Sequence, residues 1–459
     1  MGTITFKGLF LTAVFMLLGC LAIQAADDDL ITKQITIKLD KAGTLADKIG
    51  KNKKYKITNL KIVGEINGSD LKYVRDMAGG SFRDEGIVGK LSVLDLSEAK
   101  IIKGGSFYYS PNGSYNEYYT TDDAIGSYAF YECSKLKSLK LPSGVTEIGS
   151  FAFYACSRLK SLKLPSGVTE IGSSAFESCR GLTSLIIPPG VTEIGSSAFN
   201  DCTDLTSLSL PSGVTEIGSS AFRDCIGLTS LTLPSGVTEI GSSAFEGCRG
   251  LSSLTLPPGV TKIGSSAFEG CSRLTSLTIH SDVTEIGPSA FWGCTGLKDV
   301  SFYVNGDFEA YLTKGHPYIG CDCGIKYYLN DEEITSIVVP SSITTLGKYA
   351  FQRCSNLLSV YVSWPTPISA YDTFSEADLG NCILYVPQGT EQDYFLADGW
   401  GDFGNIVEYD PTGIDKVTTS TDAKKLSRYS VNGQRLSAPS KGLNIVKYSD
   451  GSVKKVVVH

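Results

Sequence analysis

Apolar residues return along the middle of the chain with a spacing of 23. In the stretch "LTSLTLPSGVTEIGSSAFEGCRG", which begins at Leu228, leucines alternate with Ser and Thr, and Pro and Gly then interrupt the run. Strict alternation is the grammar of a half-buried strand, and the Pro-Ser-Gly interruption is that of a turn. The pattern predicts Leu231 and Leu233 inward, with Ser230 and Thr232 outward. Val237 and Ile240 then face inward from a second short extended arm, Ala244 and Phe245 close the core, and Cys248 leads into the next copy. A helical bundle does not fit this punctuation.

Aligned copies put Phe130 to Phe291 in one column and Ile125 to Ile286 in another, eight residues each. A constant period of this length predicts a solenoid in which each coil buries its apolar face against its neighbours, stacked at about 4.8 Å. Identical side chains then lie on one another. Cys133, Cys156 and their successors to Cys294 form a further column, one per coil. Two readings stand for it: a file of small buried hydrophobes with weak S–H donors, or disulfides between stacked neighbours. Tetrahedral metal binding needs converging ligands, not a line of them.

The unit "LxxLxLPxGVTxIGxxAFxxC" resembles the BspA-like leucine-rich repeat of bacterial surface proteins. The resemblance covers residues 125–297 in eight near-identical copies, with a ninth from Ile334 to Val362. It implies a β-rich leucine-rich-repeat solenoid, export to the cell surface, binding of host or neighbouring-cell molecules, and no catalytic residues or cofactors.

The flanks organise the rest. Residues 1–25 carry one cation, Lys7, then an apolar run from Gly8 to Ile23 and small residues before an acidic cluster. This is the pattern of a cleaved secretory signal, with "LLGC" and lipidation of Cys20 as the alternative. No second run of the ~20 apolar residues needed to span a bilayer occurs. Residues 26–124 are expected to form an N-terminal cap of atypical leucine-rich repeats, shielding the last apolar layer. It should hold two short helices, "TLADKIG" and "SDLKYVRDMAG", the second capped by Ser69 and stopped near Gly79. The Tyr-rich "FYYSPNGSYNEYYT", with Tyr115 and Tyr118, reads as a loop that either packs on the cap or contacts a ligand. Regular repeats occupy 125–300. Residues 301–409 are irregular repeats and a closing cap resembling that of Bacteroidales members of the family, with "VSFYVNGDFEAYLTKG" read as strands and Trp400 as a core plug. Residues 410–459 are a linker and a small β-rich tail with turn signals at Asn432-Gly433 and Asp450-Gly451. The tail resembles a type IX secretion sorting domain.

The net charge of −7 argues against nucleic acid as the main partner. Three histidines, His280, His316 and His459, leave little room for His-based catalysis or zinc. "HPYIGCDCG" is a separate metal or disulfide candidate through His316, Cys321 and Cys323. The column Glu147 to Glu285, interrupted by Lys262, is a solvated edge or, less naturally, a calcium ladder, since one carboxylate per coil is few for six to eight oxygens.

With the inward columns committed to packing, recognition falls to the outward ones. Most are Ser or Thr, a hydroxyl surface able to donate and accept. The first two coils differ by placing Lys137, Lys140, Lys160 and Lys163 there, with Lys135 and Arg158 in the turns before. These cations either keep the stack soluble or bind an acidic glycan or acidic protein segment. No enzyme motif emerges. The sequence points to a monomeric, exported, surface or extracellular protein that binds matrix protein, mucin, glycan or neighbouring cells, with a structural or antigenic surface array as the alternative.

Overall fold

The computed structural model describes residues 30–80, 89–111, 116–304, 307–321 and 323–411, and in the tail the strands Thr418–Thr419, Lys425–Ser430, Arg435–Leu436, Gly442–Tyr448 and Val453–Val458. The chain divides into two compact units, residues 1–228 and 229–459.

In the first unit, strands β1 (Ile35–Leu39), β2 (Asn59–Ile66) and β3 (Val93–Ile101) pair in parallel. The same sheet continues through the repeat strands Ser138–Lys140, Ser161–Lys163, Ser184–Ile186 and Ser207–Ser209. Their register aligns Leu60, Leu94, Leu139, Leu162, Leu185 and Leu208 in one inward file. The cap thus begins the apolar layer that the repeats extend. Behind the sheet, Phe130, Phe153, Phe176, Phe199 and Phe222 are fully buried, with successive ring centroids 5.1 to 5.4 Å apart. The second short arm pairs in parallel as well, with Ile125, Ile148 and Ile171 in register.

The turn after that arm carries a feature no periodicity shows. Two residues per coil have left-handed backbone: Phe151 and Ala155, Ser174 and Ser178, Ser197 and Asp201, all with φ between 54° and 58°. Such geometry costs a non-glycine residue about 1–2 kcal/mol. It is offset by a ladder in which every N–H points the same way. Ser174, Phe176 and Ser178 donate to the carbonyls of Ser196, Ala198 and Asn200 in the next coil, each at 2.8 Å. The glycine before this turn is required by close approach. A Cβ on Gly172 would lie 2.6 Å from the Ser150 nitrogen.

The thiols join the same scheme. Cys156, Cys179, Cys202 and Cys225 are buried, and each Sγ donates to the Phe carbonyl of the preceding coil at 3.1 to 3.2 Å. The structure pairs none of the repeat cysteines with another, so the small-hydrophobe reading holds and a disulfide ladder does not. Burial pushes the Cys179 thiol up to about 12, so it stays protonated and able to donate.

The first coil presents carbonyls with no earlier coil to receive. Here the cap intervenes. The Tyr108 hydroxyl donates to Ser127 O at 2.7 Å, the ladder position that Ser150 O fills in the next coil, and the buried Arg75 guanidinium donates to Tyr128 O, which also accepts from Tyr131 N, and to Gly80 O. Arg75 comes from helix α2 (Gly68–Met77), which succeeds the short α1 (Leu45–Ile49). The N-cap of α2 is Asn67, not the expected Ser69. Asn67 Oδ1 accepts from Ser69 N at 3.0 Å, and Asp70 Oδ2 accepts from Asn67 N at 3.1 Å, a reciprocal capping box. The Tyr-rich segment is a hairpin, not a plain loop, with β4 (Gly104–Tyr109) antiparallel to β5 (Tyr118–Thr120).

In the second unit the repeat persists and then changes. Leu231 and Leu233 point inward, Ser230 and Thr232 outward, and Val237, Ile240, Ala244, Phe245 and Cys248 are fully buried, as the alternation requires. Phe245, Phe268 and Phe291 stack at 5.3 and 5.5 Å. Cys271 and Cys294 donate to Phe245 O and Phe268 O. The strand expected after Asn305 is instead helix α3 (Phe308–Lys314). Asp307 caps it by accepting from Glu309 N at 2.9 Å, Gly315 ends it at φ 69°, and Phe308, Tyr311 and Leu312 bury one face. That i, i+3, i+4 spacing outweighs the local strand-like alternation.

Next to α3, His316 is buried with Nε2 3.0 Å from the Tyr327 hydroxyl and Nδ1 2.7 Å from Pro317 O. Burial pulls its pKa down to about 4, leaving a neutral ring with both nitrogens engaged. Cys321 and Cys323 form a disulfide. The metal reading of this segment therefore gives way to a packed imidazole and a separate disulfide. Strands Ser336–Val339, Ile383–Pro387 and Asn405–Tyr409, with Ser359–Val362 between the first two, form a parallel sheet. Helix α4 (Glu391–Leu396) and fully buried Trp400, donating to Ile368 O at 2.6 Å, close it as the plug the sequence anticipates. Thr418–Thr419 pairs antiparallel on the Ser336–Val339 edge. The remaining tail strands form a four-stranded antiparallel sheet. Asn432-Gly433 and Asp450-Gly451 lie outside the described residues, as do residues 1–25 and Cys20.

Phe176→Ala removes a ring held between two others. It should cost about 3–5 kcal/mol in denaturant unfolding, against a smaller loss for Phe176→Leu, which keeps most of the volume.

Candidate functional site

The register of the first unit turns the outward columns into files with known neighbours. Hydrogen bonds from Lys160 N to Lys137 O, Thr183 N to Lys160 O and Thr206 N to Thr183 O define a file of Lys137, Lys160, Thr183 and Thr206. A second file runs Lys61, Asp95, Lys140, Lys163, Ile186 and Ser209. Lysines 137 and 140, and likewise 160 and 163, are three residues apart along a strand, about 10 Å. Adjacent coils bring the pairs to about 5 Å of one another. Four exposed ammonium stems thus surround Ser138 and Ser161.

The sequence-predicted cations are gathered, but they are not equivalent. Lys140 Nζ is 2.9 Å from Asp95 Oδ2, a contact across 45 residues that the repeat pattern did not reveal. Burial pushes the Asp95 carboxyl up. Hydrogen bonds from Ser97 Oγ at 2.6 Å, Ser97 N at 3.0 Å and Lys140 outweigh that and hold it at about 2. Lys160 reaches Asp204 Oδ2 only at 3.9 Å. Lys137, Lys163 and Arg158 have no acidic partner among the described residues. A shallow groove of about 390 Å³ opens among Lys137, Arg158, Lys160, Arg180, Thr203 and Asp204. Arg180 was not anticipated. Its guanidinium is held against Asp201 at 2.7 Å, one coil on.

Tyr118 is drawn into an aromatic cluster. Its ring lies 4.6 Å from that of Tyr128, which stacks on Tyr109 at 4.7 Å and on Phe151 at 4.9 Å, while Arg75 covers Tyr109. Tyr118 is half-buried there, whereas Tyr119 is 47% exposed. Tyr115 lies outside the described residues.

The hydroxyl files also differ from the expectation that they both donate and accept. Thr183 Oγ1 donates to Lys160 O at 3.2 Å, and Thr206 Oγ1 donates to Thr183 O at 3.2 Å. In the second unit Ser252 and Thr275 do the same toward Thr229 O and Ser252 O. Each such hydroxyl has committed its one proton and turns only lone pairs outward. Along the second arm, Glu147 and Glu170 are in register, as are Glu193 and Glu216, and in the second unit Glu239 pairs with Lys262 at 2.9 Å. Among the described residues, no group of three or more His, Cys, Asp or Glu side chains is placed to hold a metal ion. Nor is any described helix long and apolar enough to cross a membrane.

The family described as "BspA type Leucine rich repeat region" matches residues 100–228, 215–308 and 324–385 in six copies. Among solved structures, a leucine-rich-repeat protein of T. pallidum is 39% identical over 34% of this chain and 72% of its own, with a TM-score of 0.31. One from Bacteroides ovatus is 23% identical over 66% and 91%, with a TM-score of 0.33. A leucine-rich cell surface protein from Faecalibacterium prausnitzii is 24% identical over 64% and 85%, with a TM-score of 0.29. Comparison with curated proteins returns no match.

Asp95→Asn checks the buried end of the lysine file. The folded carboxyl titrates near 2, below its ordinary 3.8, so its contribution is present above pH 4 and fades as pH falls from 4 to 2. Wild type and Asp95→Asn should therefore differ in unfolding free energy by about 2 kcal/mol at pH 6 and converge near pH 2.

Proposed function

We propose that this chain, which belongs to the BspA-type leucine-rich-repeat family, is an exported, non-catalytic binding protein of the cell surface or its surroundings. Its ligand is an extracellular protein or glycan taken on the outward strand face. In this reading residues 1–25 direct export, and residues 410–459 serve as a sorting or attachment module.

One observation carries the reading. The Leu, Ile, Phe and Cys columns are spent on packing, while Lys137, Lys160, Lys163 and Arg158 stand exposed on a hydroxyl face of a chain whose net charge is −7. Like charges about 5 Å apart repel by only about 0.8 kcal/mol in water. The cluster therefore stands at small cost to the fold and offers an anion several short, additive attractions. The surface around it is rigid, because backbone ladders fix every coil, so little ordering entropy opposes binding. Tyr118 and the neighbouring exposed Tyr119 supply aromatic contact area beside it.

Binding of the full chain to immobilised matrix proteins, mucin and glycans tests this. At least one member of the panel should bind saturably. Changing Lys137, Lys140, Lys160 and Lys163 to Ser should weaken that binding about tenfold or more and flatten its dependence on salt. Saturable binding indifferent to all four changes moves the site elsewhere, and silence across the panel removes the binding function.

A further inference from the structure

The lysines do not stand alone in their files, and their neighbours in the next coils narrow the ligand. Lys137 and Lys160 are succeeded, one coil at a time, by Thr183 and Thr206. Those two hydroxyls have given their protons to the backbone and present acceptors only. Lys163 is succeeded by Ile186, 77% exposed in a file otherwise polar or charged. The face thus changes within two coils, about 10 Å, from cations to lone pairs and a patch of C–H surface.

We propose that the ligand of this face is an acidic polysaccharide, running along the stack across the strands. The inference rests on the binding role proposed above for the same face. Its carboxylates or sulfates sit over Lys137, Lys160 and Lys163, with Arg158 at the groove. Its hydroxyls donate to Thr183 Oγ1 and Thr206 Oγ1, and the apolar side of a sugar ring lies on Ile186. An acidic polypeptide satisfies the lysines but not the rest. Its side chains bring carboxylate acceptors to a file that already presents acceptors, only its backbone N–H groups could donate there, and it has no ring face to lay on Ile186. A saccharide residue carries an anion, several O–H donors and a C–H face within one ring, which is the sequence of chemistries these files display. The direction of the chain is set as well, since both files run across the strands from coil to coil.

The full chain is measured against immobilised dextran sulfate, neutral dextran and poly-glutamate, with melting curves to confirm that each variant folds. Dextran sulfate should be retained and neutral dextran should not. Poly-glutamate should bind about tenfold more weakly at matched charge, because charge alone supplies the common part. Lys137→Ser with Lys160→Ser should lose dextran sulfate about tenfold. Thr183→Val with Thr206→Val should weaken dextran sulfate about three- to tenfold while leaving poly-glutamate unchanged, and Thr183→Ser with Thr206→Ser should restore it. Equal affinity for poly-glutamate, or indifference of dextran sulfate to the Val pair, overturns the saccharide assignment. If a matrix protein binds the lysine face while dextran sulfate does not, the binding role stands and this assignment falls. If nothing binds, both fall.

Discussion

Each coil depends on a one-way hydrogen-bond ladder at its third side. Parallel strands exchange bonds in both directions, but in the left-handed turns alternate N–H groups all donate forward to the next coil, while those between them bond within their own coil. This permits unfavourable φ values at Ser and Asp, sets which coil face must be glycine, and decides what the two ends of an array need. The start of the first unit shows it. At the first coil the ladder carbonyl of Ser127 is met by the Tyr108 hydroxyl, and the buried Arg75 guanidinium adds a donor to the neighbouring Tyr128 O. A cap made only of apolar residues would cover the leucines and strand those oxygens.

The cysteine column belongs to the same logic. A carbonyl oxygen has two lone pairs, and the Phe carbonyl already accepts one bond from a turn N–H. A thiol is small and apolar enough for the phenylalanine layer, yet supplies a second, weak donor. Alanine would fill less and donate nothing. Serine would bring a costlier polar atom into the core.

Much of this was legible in the sequence where it rests on period. The Leu, Ile and Phe files, inward and outward faces and the second arm all come from side chains recurring in register, whereas the Trp400 plug came from the resemblance of the closing segment to the family's cap. The illegible part depends on backbone direction or on partners distant in sequence. The left-handed turns leave no mark in Ser174 or Ser178, which are ordinary residues. Asp95 lies in a coil of different length, so only alignment of Leu94 with Leu139 would have placed it beside Lys140. Helix α3 carried readable signs in Asp307, Glu309 and Gly315, but the apolar run before it favoured strands. The site was half legible. Its lysines were found from their columns, whereas the commitment of the threonine protons, which gives the face its chemical asymmetry, exists only once coils are stacked.

Ten cysteines remain as thiols in the described chain, and in the folded coil each lies beyond the reach of an oxidant. The unfolded polypeptide has no such shelter. Were it to cross a membrane extended into an oxidising space, mispaired sulfurs would compete with every turn that closes. Because each coil closes on its immediate neighbour, the sulfurs are covered one coil at a time. The successive closing of coils would then be what covers the thiols of this molecule.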